Sequence, residues 1–558
     1  MSLPGGEGEP DAPSTAIESG TGLGRATALM AAGTLLSRLT GLLRLLVAAY
    51  ALGGNTLSDA FNLANNTPNI VHDLVLGGVL SATFVPQFVH RLTSRPRQEA
   101  EESISAVVSL SGVVLFGATV VFLLVAPLVI DLYSVGAHTP GLEAERQVAT
   151  DLLRLFAIQL LGYGTISLMG AVLNTVRRFA LVAYVAVLNN LVAIAVLVEF
   201  AHVVGRHPSL AQVQHDRGAL LLLGLGTSAG VLVQALALLP AAMRSGLRLR
   251  FLWRPRDPAI MEILSLSSWT FGFVLANQVA VFIVLAIAVG LGAARVTDYT
   301  YAYQFFQLPF GIVAVSVMST VIPELAYRYS AHDLPEMAHQ FGLGLRRMMA
   351  GILPSTAGYL ILAGPLIALL LRHGDFGSGN AEETGQLLAL LAIGLPGYST
   401  YLLCISALQA MRDTRTAFFL YLFENAVNVI LAVILTTHIG VRGLSLSLSI
   451  AYSLAALAAL VVVRHRMGGL GGLQVGRFVG RSLVLSVAMG AAVAVVTAAV
   501  SSSSEVGLLF EVIAGVIAGV ITYGAAAGLA GTVSGWQTAR KRRPGPRRHA
   551  HGYDPSRH

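Results

Sequence analysis

The chain contains few charged residues. Only 12% of its 558 residues are Asp, Glu, Lys or Arg, and 55% are hydrophobic, whereas an ordinary soluble domain carries about 25% charged residues. Such a composition excludes a soluble globular protein, because it cannot cover a water-facing surface. Apolar runs recur from Ala26 to Leu529, each near the roughly 20 residues that a helix needs to cross a bilayer. The sequence therefore predicts an all-α polytopic membrane protein.

Cysteine is nearly absent as well. The one residue, Cys404, lies in an apolar run, which excludes an intrachain disulfide and a cysteine metal cluster and predicts a buried thiol. The sequence has no GxxxxGK[ST] loop and no zinc-spaced group of His or Cys, so neither ATP nor a metal cofactor is expected. The net charge of +7 does not indicate nucleic acid, because the arginines lie in short gaps between apolar runs.

The apolar runs predict about fourteen membrane-spanning helices. Their approximate bounds are 26–52, 59–89, 103–133, 148–176, 179–204, 218–243, 259–292, 297–327, 341–371, 384–411, 416–438, 441–463, 479–500 and 506–533. The gaps on the outer side are short, so any activity is expected inside the helix bundle.

Arginine is concentrated in alternate gaps, and cytoplasmic loops are the ones that retain Lys and Arg during insertion. The gaps after even-numbered spans contain Arg91, Arg95, Arg97, Arg177, Arg178, Arg244, Arg248, Arg250, Arg254, Arg256, Arg328, Arg346, Arg347, Arg412, Arg415, Arg464, Arg466, Arg477 and Arg481. These gaps are predicted to be cytoplasmic. The same rule places both termini inside, with a disordered leader at 1–24 and a basic tail at 536–558. The tail is a topology anchor or, alternatively, a lipid-headgroup binding segment.

The first span contains two arginines and no acid. Arg38 and Arg44 are about 9 Å apart along a helix axis and about 120° apart around it, and charges at bilayer depth usually line cavities or pair. Two guanidinium groups facing one cavity suit a diphosphate, because each planar fork binds phosphate oxygens with two hydrogen bonds. Two alternatives stay open: Arg38 extends to the cytoplasmic boundary, or either arginine pairs with Asp59 or Asp73.

The second span is too polar to face lipid. Its first half contains Asp59, Asn62, Asn65, Asn66, Asn69, His72 and Asp73. Pro68 and the Gly77–Gly78 pair predict a bent or broken helix of the kind that lines a transporter binding site. Asn69 and His72 are candidate substrate contacts. For His72 the alternative is a satisfied packing residue.

Acids in later spans suggest ion coupling. Glu424 and Asn428 share a helix face at i, i+4 and offer oxygen ligands to Na⁺ or a site for a proton, with Glu262 as a candidate partner. Interhelical hydrogen bonding is the alternative. Asp151 and Arg154, at i, i+3, predict a local ion pair.

Several motifs occur together along almost the whole hydrophobic chain. They are SRLTGLLR at 37–44, SDAF at 58–61, PN at 68–69, GGVLSATFVPQF at 77–88, GAVLNTVRRF at 170–179, QLPFGIVAVSVMSTVIPELA at 307–326, HGDF at 373–376 with Thr384, and ALQAMRDTRT at 407–416. In combination they resemble the MurJ/MviN lipid II flippase family, in an actinobacterial-type form. That family belongs to the multidrug/oligosaccharidyl-lipid/polysaccharide exporter superfamily.

The resemblance implies both an architecture and a substrate. The architecture is two six-helix lobes around a central cationic cavity, at 25–244 and 245–466, followed by a helix pair at 467–535. The implied activity moves undecaprenyl-diphosphate-linked disaccharide peptide across the bacterial plasma membrane without covalent chemistry. The expected partners are this precursor, membrane lipids and the cell-wall synthesis machinery, and not nucleic acid.

The resemblance also assigns individual residues. Arg38 and Arg44 match the family's cavity arginines, and Asp59 matches its span-two aspartate. His72 and Gln304 stand where the family pattern has arginine, so these candidate substrate contacts make the cavity less positive. Gly77 replaces an acid that is common there.

These departures keep other functions open. A flippase for another polyprenyl-linked glycan and a drug exporter of the same superfamily are the nearest alternatives. A membrane glycosyltransferase would need an acidic catalytic loop outside, which the sequence does not show, and a non-transporting scaffold is the third alternative.

Overall fold

The computed structural model describes residues 20–77, 84–137, 141–176, 178–206, 208–372, 376–470, 474–500 and 504–529, and within these ranges all regular structure is helical. The α-helices are α1 (Gly20–Leu52), α2 (Thr56–His72), α3 (Val85–Ser94), α4 (Arg97–Tyr133), α5 (Leu142–Phe156), α6 (Ile158–Thr175), α7 (Phe179–Val203), α8 (Leu210–His215), α9 (Arg217–Met243), α10 (Pro258–Gly290), α11 (Arg295–Pro309), α12 (Val315–Ser330), α13 (Leu334–Leu371), α14 (Ser378–Ile393), α15 (Leu395–Ala410), α16 (Thr414–Ile439), α17 (Arg442–Arg466), α18 (Val475–Val500) and α19 (Glu505–Leu529). Two π-helical turns, at Asp73–Gly77 and Phe310–Ala314, follow α2 and α11.

Most predicted spans correspond to helices that are long and apolar enough to cross a membrane. The described residues contain 12 such helices, or 13 if the α14 and α15 pair, bent by 48°, is one span. The predicted second span is not among them, because its first half is polar and residues 78–83 lie outside the described part. The number fourteen therefore stays a prediction.

The helices form two groups and a terminal pair. Helices α1 to α9 pack mainly against one another, as do α10 to α17, and α18 and α19 pack together on α13. The groups meet where α2 contacts α11 and where α10 contacts α4 and the Asp73–Gly77 turn. The predicted fold class is confirmed.

The first helix begins earlier than predicted. Helix α1 starts at Gly20, so the last five residues of the predicted 1–24 leader are helical. No proline follows Pro13 before the end of α1, and the helix therefore extends beyond its apolar part without a break. Residues 1–19 and the predicted basic tail lie outside the described residues.

Two local predictions are confirmed. Asp151 and Arg154 form an ion pair of 3.6 Å within α5, and both side chains are partly exposed, so the pair contributes little to stability. Cys404 is fully buried in α15, as its apolar surroundings in the sequence predict.

Candidate functional site

A polar cavity with three adjoining chambers lies between the two lobes. The cationic chamber, about 520 Å³, is lined from α1, α7 and α11 by residues that include Arg38, Arg44, Asn190, Gln304 and Gln307. The asparagine chamber, about 340 Å³, is lined by residues that include Arg44, Asn62, Asn65, Asn66, Asn69 and Gln304. The tyrosine chamber consists of two hollows of about 310 and 330 Å³ that share Asp73, Asn277, Gln278, Tyr303, Glu424 and Tyr452. Both lobes contribute to the walls.

Both arginines of α1 line this cavity. Arg44 is half-buried between the cationic and asparagine chambers, and Arg38 is exposed in the cationic chamber. Within the described ranges, no carboxylate lies within 4 Å of either guanidinium group. Asp59 and Asp73 bind other groups, so the alternative in which they neutralise the arginines is wrong. The cavity therefore carries two positive charges available to an anion.

Helix α7 fixes the position of α1. A Cβ atom placed on Gly33 would lie 3.1 Å from the Cβ of Ala183, so the two helices approach closely because this residue is glycine. The Asn190 amide donates hydrogen bonds to the Ser37 carbonyl oxygen at 3.1 Å and to the Thr40 hydroxyl at 3.0 Å. These contacts hold the arginine-bearing part of α1 against its own lobe.

Gln304 occupies the junction of the cavity, because it lines all three chambers. Asn69 lines the asparagine chamber and one hollow of the tyrosine chamber. Both residues are therefore where a ligand that extends from one chamber to the next would pass. Each of these two residues presents a neutral side-chain amide, which can donate and accept hydrogen bonds.

His72 lies beside the cavity and bonds to its wall. Its Nδ1 atom is 3.2 Å from the Asp73 carboxylate and its Nε2 atom is 3.1 Å from the Ser167 hydroxyl on α6. Its neighbours Asp73 and Tyr163 line chambers, whereas His72 is not among the residues that line the three chambers. The arrangement is that of a packing histidine that orients Asp73.

Asp59 is not among the residues that line the three chambers, and its contact with the substrate stays a prediction. Asp59 is 2% exposed, and its Oδ1 atom accepts hydrogen bonds from the backbone N–H of Thr297 at 2.8 Å and from the Thr297 hydroxyl at 2.6 Å. Because Thr297 is in the first turn of α11, the carboxylate caps the positive end of that helix. Asp59 is in the first turn of α2, at the end of the helix. The polar pattern of the span did not predict how far along this helix the cavity extends.

This contact is part of a polar latch between the lobes at the end of the bundle opposite the arginine-rich loops. We define the α2–α11 latch as Ser58, Asp59, Asn62 and Thr297. The Thr297 hydroxyl lies 3.2 Å from the Ser58 hydroxyl and accepts a bond from the Asn62 amide at 3.1 Å. A further bond, 2.8 Å long, joins the Asn380 amide to the Gly54 carbonyl oxygen.

Sequence reasoning missed the residues of α11 that complete this end. Asp298 is fully buried, lies 3.3 Å from Arg295 and accepts a hydrogen bond of 3.2 Å from the Thr384 hydroxyl. The signal was an acid three residues after an arginine at the start of an apolar span, the same i, i+3 pattern that was recognised at Asp151 and Arg154.

The coupling candidates are only partly brought together. Glu424 and Asn428 are buried side chains of α16 that line the tyrosine chamber. Asn428 accepts a 3.0 Å bond from the Ser447 hydroxyl on α17, which is the interhelical hydrogen bond of the alternative interpretation. The described residues contain no group of three or more His, Cys, Asp or Glu side chains suited to a metal ion.

Glu262, the candidate partner of Glu424, binds residues of the first lobe. Glu262 accepts hydrogen bonds from Arg91 and from Gln87, each 3.0 Å long, and it does not line the tyrosine chamber. The reason is depth, because Glu262 is near the start of α10 at the arginine-rich end, whereas Glu424 is in the middle of α16. The Arg91 pair joins the lobes at that end.

A glycine of the second lobe makes room for Arg38. A Cβ atom on Gly311 would lie 2.8 Å from the Arg38 Cζ atom, so Gly311→Ala should displace the guanidinium group from its position in the cationic chamber. We expect binding of a diphosphate-bearing lipid to weaken by about tenfold with unchanged thermal unfolding. Gly358→Ala is the matched control, because a Cβ there meets no atom within 4 Å. Equal affinity of the two variants would contradict the assignment of Arg38.

Comparison with known proteins identifies relatives along most of the chain. The family model described as Lipid II flippase MurJ matches residues 48–515. The chain is 28% identical over 428 residues to a probable lipid II flippase MurJ of Rhizobium meliloti, covering 75% of this chain and 76% of that protein. It is 26% identical over 456 residues to the lipid II flippase MurJ of Burkholderia cenocepacia, covering 79% of this chain and 84% of that one.

Solved structures agree with this at the level of the fold. A lipid II flippase MurJ in an inward closed conformation has a TM-score of 0.73 at 20% identity, covering 90% of this chain and 99% of the other. An inward-facing multidrug resistance MATE family transporter of the MOP superfamily has a TM-score of 0.63 at 16% identity, covering 78% and 96%. Because the family model matches most of the sequence, the chain belongs to the lipid II flippase MurJ family.

Proposed function

We propose that this protein is a lipid II flippase that moves undecaprenyl-diphosphate-linked disaccharide peptide from the cytoplasmic to the outer leaflet. The single observation that carries the proposal is the pair Arg38 and Arg44 in one cavity between the lobes, with no carboxylate neutralising either within the described residues. A diphosphate supplies the complementary charge, and two guanidinium forks bind its oxygens.

The amide side chains of the asparagine chamber suit the rest of the headgroup. Sugars and peptides present hydroxyl and amide groups, and the asparagine chamber offers amide side chains that donate and accept hydrogen bonds. The lipid tail stays in the bilayer, so only the headgroup has to enter the cavity. Transport changes no covalent bond. The protein supplies the precursor to the cell-wall synthesis machinery on the outer side.

Alternating access fits the position of the cavity. The cationic chamber is lined by α1 and α7 from one lobe and by α11 from the other, so rocking of the lobes would change which side the arginines face. The α2–α11 latch would hold the outer end closed while the headgroup enters from the cytoplasm. Both termini are on the cytoplasmic side in this proposal.

The function is tested in vesicles of defined lipid composition that contain the purified protein. Labelled lipid II and a polyprenyl-diphosphate-linked glycan without a peptide are supplied in one leaflet, and their arrival in the other leaflet is measured. We expect transfer of lipid II to exceed transfer of the peptide-free glycan. Equal transfer of both would favour a general polyprenyl-glycan flippase, and transfer of neither would contradict the proposal.

We further propose that Glu424 couples transport to Na⁺ or H⁺. Glu424 is 3% exposed and lines both hollows of the tyrosine chamber, as Asp73 does. We expect Glu424→Gln to remove the dependence of transport on an imposed Na⁺ or H⁺ gradient, because the amide keeps the shape but not the charge. Gradient dependence that is unchanged in this variant would overturn the coupling proposal and leave the flippase assignment intact.

A further inference from the structure

A second basic pocket lies outside the central cavity, at the arginine-rich end of the bundle. It measures about 540 Å³ and lies between the first turns of α4 and the irregular segment 246–252 that precedes α10. Its lining residues include Arg97, Glu101, Glu102, Arg248 and Arg250. It shares no lining residue with the cationic, asparagine or tyrosine chambers. The substrate pathway therefore does not account for it.

The pocket wall is fixed by hydrogen bonds. The backbone N–H of Arg250 donates to the Ser105 hydroxyl at 3.1 Å, and that of Leu252 donates to the Ser109 hydroxyl at 3.0 Å. The Arg97 guanidinium also donates to the Gly246 carbonyl oxygen. The segment is thus held along α4 at three points, and its side chains have defined positions.

The charges of the pocket leave two guanidinium groups without a counterion. Glu101 is bound by Arg97 and Glu102 by Arg254, each at 3.0 Å. Arg248 and Arg250 are exposed, and neither has a carboxylate within 4 Å in the described part of the chain. The acids are therefore neutralised in ion pairs, and the free charge of the pocket is positive.

Exposed aromatic side chains indicate the depth of this pocket in the membrane. Phe251 is 73% exposed and Trp253 is 56% exposed, and Met243 and Met261 at the adjoining helix ends are 78% and 58% exposed. Tryptophan is enriched at the level of the lipid headgroups, where its ring is partly in the apolar region. Arg248 and Arg250 line the pocket, whereas the exposed side chains of Phe251 and Trp253 are not among its lining residues.

We propose that this pocket binds the phosphate headgroup of an anionic phospholipid in the leaflet at the arginine-rich end. The guanidinium groups of Arg248 and Arg250 bind the phosphate oxygens, and Phe251 and Trp253 insert beside it among the acyl chains. The aromatic side chains favour a lipid over a soluble phosphate, because a soluble ligand would not require them. Neither the site nor its ligand depends on the identity of the transported precursor.

Trp253 provides the readout. In a full-length protein in which Trp269 and Trp536 are replaced by phenylalanine, Trp253 is the remaining tryptophan of the sequence. Its fluorescence is measured in phosphatidylcholine vesicles as brominated phosphatidylglycerol, a quencher, is increased. The experiment is done in 1 M salt, where the Debye length is about 3 Å and diffuse surface attraction is screened. We expect saturable quenching, and about tenfold weaker binding in R248Q/R250Q.

The matched control is R244Q/R256Q, which removes two exposed arginines of the same loop that do not line the pocket. Its quenching curve should stay within about twofold of the parent protein, and thermal unfolding should be equal in both variants. Equal weakening in both variants, or in neither, would overturn the proposal. Equal quenching by brominated phosphatidylcholine would show no preference for an anionic lipid, and loss of the preference in millimolar inorganic phosphate would indicate a soluble-anion site. Either result would overturn it.

Discussion

Vesicles containing the Arg44→Ala variant should translocate the lipid-linked precursor at least about 100-fold more slowly than the parent protein. Arg44 lines both the cationic and the asparagine chamber, and a charge-assisted hydrogen bond contributes about 1.5–3 kcal/mol, so losing a two-bond fork costs two or more factors of ten. The measurement is the initial rate of transfer of labelled precursor between leaflets. Arg44→Lys should recover part of the rate, since it keeps the charge without the planar fork.

Arg154→Ala is the control for the Arg44 experiment. Arg154 is half-exposed and binds Asp151 within its own helix, so its loss should change neither transport nor thermal unfolding appreciably. The Arg44 variant should also unfold at the parent temperature, because its charge is not paired in the folded protein. A fully active and folded Arg44→Ala protein would defeat the assignment of the cavity.

Asp59→Ala should open the outer end of the bundle. The variant leaves the N–H and hydroxyl of Thr297 without the carboxylate that binds them, and bonds to a charged group contribute about 1.5–3 kcal/mol each. A loss of about 3 kcal/mol shifts a two-state equilibrium by about two factors of ten. With spin labels at Glu143 on α5 and Glu382 on α14, in a Cys404→Ala background, the distance distribution should gain a longer component.

Asp151→Ala tests whether this effect is specific to the latch. Asp151 is also an acid of the first lobe, but its partner Arg154 is one helical turn away in the same lobe, so its removal should leave the distance distribution unchanged. If Asp59→Ala gives the parent distribution, or if both variants broaden it equally, the α2–α11 latch does not hold the lobes together.

Charge is unevenly divided between the cavity and its surroundings. The two positive side chains of α1 are directed into a cavity whose junction residue, Gln304, is neutral. The nearby acids bind groups other than the arginines: Asp73 accepts a 3.0 Å hydrogen bond from Gln278 within the tyrosine chamber, and Asp59 caps α11. The arrangement concentrates anion binding around the two arginines and separates it from Asp73 and Glu424 in the tyrosine chamber.

The sequence alone determined the features that depend on composition and on neighbours along the chain. A low charge content and repeated apolar runs require a lipid-facing helical bundle, and most predicted spans are present as helices. The local pair of Asp151 and Arg154 follows from helical spacing. Arg38 and Arg44 could be recognised as cavity residues, because two unpaired cations in one apolar helix need an environment other than lipid.

Only the tertiary structure decided which partners meet across the lobes. Asp59 and Thr297 are 238 residues apart in the sequence, and Glu262 lies 171 residues from Arg91. Helical periodicity gives the face on which a residue lies, but not the depth of the cavity or the helix that packs against that face. The depth of the cavity and the partner helix depend on how the two lobes, each folded largely by its own contacts, dock against one another. Lobe docking placed Asp59 in a latch, Glu262 in an ion pair and Gln304 at the junction of three chambers.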